Sequence, residues 1–127
     1  MNKIQAGRLL TLAYYLKTEV SKDKFYMRSY CSGNPSELLD NSCGTSACAL
    51  GWASVVFPQR FSLFHGRLML SAGLKYEIGY YGNTVCRYFG LSSDEASWLF
   101  GPFTRTPKEE ARMIEKLVLE KGWCYDE

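Results

Sequence analysis

Histidine is almost absent. The 127-residue chain carries one, His65, against five cysteines, Cys31, Cys43, Cys48, Cys86 and Cys124. No two of these cysteines have the C-x2-C spacing of a structural zinc site, and a single imidazole adds little to the ligand set. Neither a metal nor any other cofactor is therefore expected. The phosphate-cradling P-loop, the dinucleotide fingerprint G-x-G-x-x-G and the zinc-protease motif H-E-x-x-H are also missing. There is no long apolar run. The longest charge-free stretch, Asn41 to Gln59, is polar in its first half. Its apolar part is about a dozen residues, where a membrane span needs ~20. Arg8, Thr11 and Lys17 interrupt the N-terminal pattern, so it does not read as a secretory signal. Nor does one sign of charge dominate: 15 basic side chains face 13 acidic ones, a formal net charge of +2. That balance argues against a polyanion mimic and against a dedicated non-specific nucleic-acid binder. With no repeat, low-complexity run or linker, residues 1–127 read as a single domain.

What the chain has in quantity is aromatic side chains: nine Tyr, seven Phe and three Trp. Its elements read mainly as helices. Leu9, Leu12, Ala13, Leu16 and Val20 recur at helical spacing, predicting an amphipathic helix over roughly Asn2 to Ser21. Phe25 to Tyr30 alternates as a short extended segment, and Cys31 to Ser42 reads as a loop. Thr45 or Ser46 is a good N-cap for a helix over about Ala47 to Val56, ended by Pro58. That helix has no polar face, so it is expected at the centre of the core. Leu68 to Leu70 and Leu74, Tyr76, Ile78 and Tyr80 flank Ser71-Ala72-Gly73, predicting two strands in a hairpin. A short helix from Thr84 to Phe89 closes on Gly90. Ser92-Ser93-Asp94-Glu95 and Thr106-Pro107-Lys108-Glu109 are capping boxes, the first starting a helix through Phe100 and the second one through Lys121. In that last helix Ala111, Ile114, Leu117 and Val118 form the apolar stripe, Glu109–Arg112 and Lys116–Glu120 are spaced as exposed ion pairs, and Glu109, Glu110 and Glu115 read as a solvated face. The expected fold class is mainly α (α+β): a compact helical domain with a small β-hairpin.

The segment Cys43-Gly44-Thr45-Ser46-Ala47-Cys48-Ala49-Leu50-Gly51-Trp52-Ala53 stands out. It resembles the C-G-T-x-A-C-x-x-G-W-A signature of a family of small uncharacterised proteins from bacteria and their phages. Phe89-Gly90-Leu91-Ser92, Glu95, Leu99-Phe100-Gly101-Pro102 and the helix opened by Pro107-Lys108-Glu109 are similar to the rest of that family's layout. The resemblance implies an accessory role, including interference with host defence, in the cytoplasm of a bacterial host. It implies no catalytic residue.

The motif has two readings. In the structural one, Gly44 permits a tight turn, Thr45 caps the helix, Cys48 and Trp52 share a face, Cys43 packs back on the helix and Gly51 admits a close neighbour. In the catalytic one, Cys43 or Cys48 gains thiolate character near a helix N-terminus and His65 serves as base. An odd cysteine count with no secretory signal favours reduced thiols in a cytosolic setting. A third feature is a locally basic middle. From Asn41 to Ser93, four basic residues (Arg60, Arg67, Lys75, Arg87) face one acid, Glu77, among many aromatics. Arg60, Arg67, Tyr76, Tyr80, Tyr81, Arg87 and Tyr88 are the candidate interface residues, since Tyr and Arg are enriched where proteins bind one another. The expected function is a non-enzymatic module that binds a host protein. Its rivals are a cysteine enzyme using Cys43 or Cys48 with His65, and a nucleic-acid binder that stacks aromatics on bases.

Overall fold

The first element follows from Asn2, whose side chain accepts from the Gln5 backbone N–H at 2.8 Å while Gln5 Oε1 accepts from the Asn2 N–H at 2.9 Å. This reciprocal cap starts helix α1, Lys3–Glu19. The computed structural model describes residues 1–22, 25, 48–64, 67–70, 73–77, 83–101 and 105–122, with the backbone alone at 62–64, 67–70, 73–77 and 83. After α1 come α2 (Ala49–Val56), three strands β1 (Phe61–Phe64), β2 (Arg67–Leu70) and β3 (Gly73–Glu77), then α3 (Asn83–Phe89), α4 (Ser93–Phe100) and α5 (Pro107–Lys121). The fold is mainly α. Among the described residues no helix is long and apolar enough to cross a membrane.

Apolar spacing explains the packing. Leu9, Leu12, Ala13 and Leu16 of α1 are fully buried, and Val20 nearly so. They pack chiefly against α5, whose Ala111, Ile114 and Val118 face inward. Lys17 and Glu115 tie the pair together at 2.9 Å, with Lys121 of α5 reaching Glu95 of α4 at 2.5 Å. Helix α2 is apolar on every side and lies in the core: Ala49, Leu50, Gly51, Trp52 and Ala53 are all buried. Both expected capping boxes form. The Ser92 hydroxyl accepts from the Glu95 N–H and the Thr106 hydroxyl from the Glu109 N–H, while each Glu accepts from its cap residue's N–H.

Four sequence expectations are corrected. The helix around the cysteine motif begins at Ala49, capped by Cys48 Sγ, which accepts from the Gly51 N–H at 3.5 Å. Thr45 and Ser46 lie outside the described residues, as do the segment after Phe25 and the loop Cys31 to Ser42. The sheet has three antiparallel strands in the order β1-β2-β3, one more than a hairpin. Phe61 pairs with Leu70 and Phe64 with Arg67. The extra strand follows directly from the turn after α2, where the Arg60 and Phe61 N–H groups both donate to Phe57 O and hold the chain in line for β2. Glu109 directs its carboxylate to the Thr106 N–H, and among the described residues it forms no ion pair with Arg112, while Lys116–Glu120 does form at 3.9 Å. Finally, Glu110 is not solvated but fully buried.

The junction of α3 and α4 depends on Gly90, whose φ of +70° belongs to the left-handed region. A Cβ there would stand 2.5 Å from Gln5 Oε1 and 2.7 Å from Gln5 Cδ. Gln5 could move aside only by giving up its bonds with the Asn2 N–H at 2.9 Å and with Arg87 O at 2.8 Å. Gly90→Ala is therefore expected to destabilise the fold by about 1–3 kcal/mol, through backbone strain together with loss of the α1 cap. Urea denaturation at neutral pH measures it.

Candidate functional site

Tyr88 sits on α3 with its ring edge-on to Phe57 and Phe61, at centroid distances of 5.3 and 5.2 Å. Phe89, the next residue, packs with Phe57, Phe61 and Phe100 in the core. The aromatic cluster thus anchors Tyr88 from below and from the side. Arg8 of α1 covers one face of the ring, its guanidinium carbon 3.9 Å from the centroid. Arg8 also donates to Tyr88 O at 2.8 Å. Such a stacked, hydrogen-bonded guanidinium is held in one plane.

Around this pair opens a cleft of about 430 Å³ lined by Arg8, Gln59, Arg60, Arg87 and Tyr88. Three elements supply it: α1 supplies Arg8, the turn after α2 supplies Gln59 and Arg60, and α3 supplies Arg87 and Tyr88. Arg60 and Arg87 are exposed, and neither forms an ion pair among the described residues. Among the described residues no carboxylate lines the cleft. Its chemistry is that of three cationic forks, an amide and a phenol, suited to holding anionic groups.

Of the seven sequence-predicted interface residues, Arg60, Arg87 and Tyr88 converge here. Arg67 and Tyr76 lie on β2 and β3, where the backbone alone is described, and Tyr80 and Tyr81 fall outside the described residues. Arg8 and Gln59 were not legible as members. Arg8 stands at the edge of the apolar stripe of α1, a position that reads as ordinary surface. Its contact with Tyr88 spans 80 positions of sequence.

Cys48 lies elsewhere, fully buried at the head of α2. Burial pushes its thiol up to about 12, and the nearby Glu110 charge adds to the rise; the hydrogen bond from the Gly51 N–H opposes it without prevailing. A nucleophilic cysteine needs a thiolate and access to solvent, and Cys48 has neither. The helix terminus cannot supply what desolvation removes. Gly51 and Trp52 are likewise buried. Cys43, Gly44, Thr45 and His65 lie outside the described residues. Alkylation of the folded protein at neutral pH, followed by peptide mapping, is expected to leave Cys48 unmodified until denaturant is added. Rapid native labelling of Cys48 would contradict its placement. Cys86, partly exposed, also has its thiol raised by burial.

A second polar cluster escaped the sequence altogether. Arg105 Nη1 meets Glu110 Oε1 at 2.6 Å and donates to Leu99 O at 3.0 Å, while Nη2 donates to Trp98 O at 2.7 Å. Glu110 Oε2 is buried without a hydrogen-bond partner. Burial drives the Glu110 carboxyl up to about 7, outweighing the pull of Arg105. The cluster joins the end of α4 to the first turn of α5. Spacing was the available signal: Glu110 precedes Ile114 by four residues and so lies on the buried stripe with Ile114 and Val118.

No family model, curated protein or solved structure matches the chain.

Proposed function

We propose that the chain is a non-enzymatic protein-binding module and that its contact surface centres on the cleft of Arg8, Gln59, Arg60, Arg87 and Tyr88. One observation carries the reading: three arginines from separate elements converge on an anchored tyrosine, with no carboxylate among the described residues of the cleft. Clusters of Arg and Tyr on a rigid base are the composition of binding hot spots. The resemblance to small bacterial and phage proteins makes a host protein, including a component of host defence, the expected partner. A cysteine enzyme draws no support from Cys48, whose thiol is buried and protonated at neutral pH.

Co-purification from bacterial lysate tests the reading. The wild-type chain is expected to retain a stoichiometric protein partner that the Arg60→Glu/Arg87→Glu double variant loses. Both side chains are exposed and unpaired among the described residues, so the variant should fold. A partner retained equally by both proteins, or none retained by wild type, overturns it.

A further inference from the structure

We infer that the cleft recognises an acidic protein segment, its arginines pairing with Asp and Glu carboxylates of the partner; this rests on the protein-binding reading above. Arg8 is already immobilised by its bond to Tyr88 O and by the ring beneath it. Ordering it on binding costs little, so its remaining N–H groups form a preorganised anion seat. Arg60 and Arg87 flank it without acidic partners among the described residues. Guanidinium forks match carboxylates with two parallel hydrogen bonds, and three of them around one cleft accept more than one carboxylate at once. Tyr88, whose hydroxyl makes no hydrogen bond among the described residues, and Gln59 add neutral donors at the same wall.

The same geometry argues against single-stranded nucleic acid. Such binding relies on aromatic faces for base stacking alongside a cationic track along the backbone. Arg8 covers one face of Tyr88, while Phe57 and Phe61 abut the ring edge-on. At least one face of the aromatic at the centre of the cleft is therefore taken up within the fold. Among the described residues the cleft's arginines form a local cluster, on a chain of net charge +2.

The test is fluorescence anisotropy with the full-length chain and three labelled probes: hexaglutamate, hexaglutamine and a single-stranded oligothymidylate with the same number of charges as hexaglutamate. Hexaglutamate is expected to bind saturably and hexaglutamine not at all. The oligothymidylate should bind more weakly than hexaglutamate at equal salt. Arg60→Glu/Arg87→Glu should weaken hexaglutamate binding by at least about tenfold, and Arg60→Ala/Arg87→Ala by less, with unchanged circular dichroism. Affinity should fall as ionic strength rises through the physiological range. Three results would overturn the inference: no hexaglutamate binding, binding indifferent to the double variants, or oligothymidylate binding as tight as or tighter than hexaglutamate. The protein-binding reading itself stands or falls on co-purification, so the two failures are distinguishable.

Discussion

Trp52→Ala is expected to reduce the stability of the fold by about 3–5 kcal/mol. Trp52 is 2% exposed on a helix buried along most of its length. Its ring lies 6.0 Å from that of Tyr15 of α1, so it fills the space between α1 and α2. Truncation removes the largest enclosed side chain among the described residues and leaves a cavity that a backbone of packed helices cannot close. Domains of this size typically have about 5–15 kcal/mol in total, so the variant should lose a large share of its margin. Trp52→Phe, which keeps a ring in the site, should lose distinctly less. Urea denaturation of both variants is the measurement. A loss below ~1 kcal/mol for the alanine variant would place Trp52 outside the core.

Arg105→Ala is expected to cost about 3–5 kcal/mol at alkaline pH, because it strands a carboxylate in the interior. The loss should shrink in acid. Glu110 has its carboxyl raised to about 7 from an ordinary 4.5, so the folded chain holds this proton more tightly than the unfolded one. The contribution of Glu110 to stability is therefore fully present below about pH 4.5 and is lost as pH rises through about 7. Removing Arg105, its ion-pair partner, raises the carboxyl further and makes ionisation costlier still. The Cys48 thiol, the other titratable group coupled to Glu110, stays neutral throughout this range. Stability curves at pH 5 and pH 8, values chosen to bracket the titration, should diverge more for Arg105→Ala than for wild type. Glu110→Gln, which cannot ionise, should flatten the slope between them. Equal loss at both pH values for Arg105→Ala would assign its cost to the bonds with Trp98 O and Leu99 O instead. Glu95 and Glu109 work in the opposite sense: burial pushes the Glu95 carboxyl up but the bonds from Lys121 and Ser92 together outweigh it, bonds with Thr106 lower that of Glu109, and both contributions are lost as pH falls through the carboxylate range.

Local rules were enough for much of the fold. The stripe Leu9–Leu12–Ala13–Leu16 and the capping boxes at Ser92 and Thr106 each depend on residues three or four positions apart. Their consequences were therefore readable before any tertiary contact was known. The all-apolar surface of α2 announced a buried position for the same reason. Where competing local options existed, sequence reasoning erred. Cys48 took the cap position, and Phe61–Phe64 joined the sheet because the turn at Phe57 aligned it with β2.

The chain by itself determined a mainly helical fold, a buried half-motif of Cys48, Gly51 and Trp52, and a basic, aromatic middle. Periodicity, capping and composition act over a few residues and leave their mark in the order of the letters. Tertiary structure alone decided that Arg8 belongs with Arg60, Arg87 and Tyr88, that Arg105 pairs with Glu110, and that desolvation holds the Cys48 thiol protonated. Those outcomes depend on the degree of desolvation and on contacts as far apart as 80 positions, and local spacing, which can mark a buried face, names neither a distant partner nor the protonation state that burial imposes.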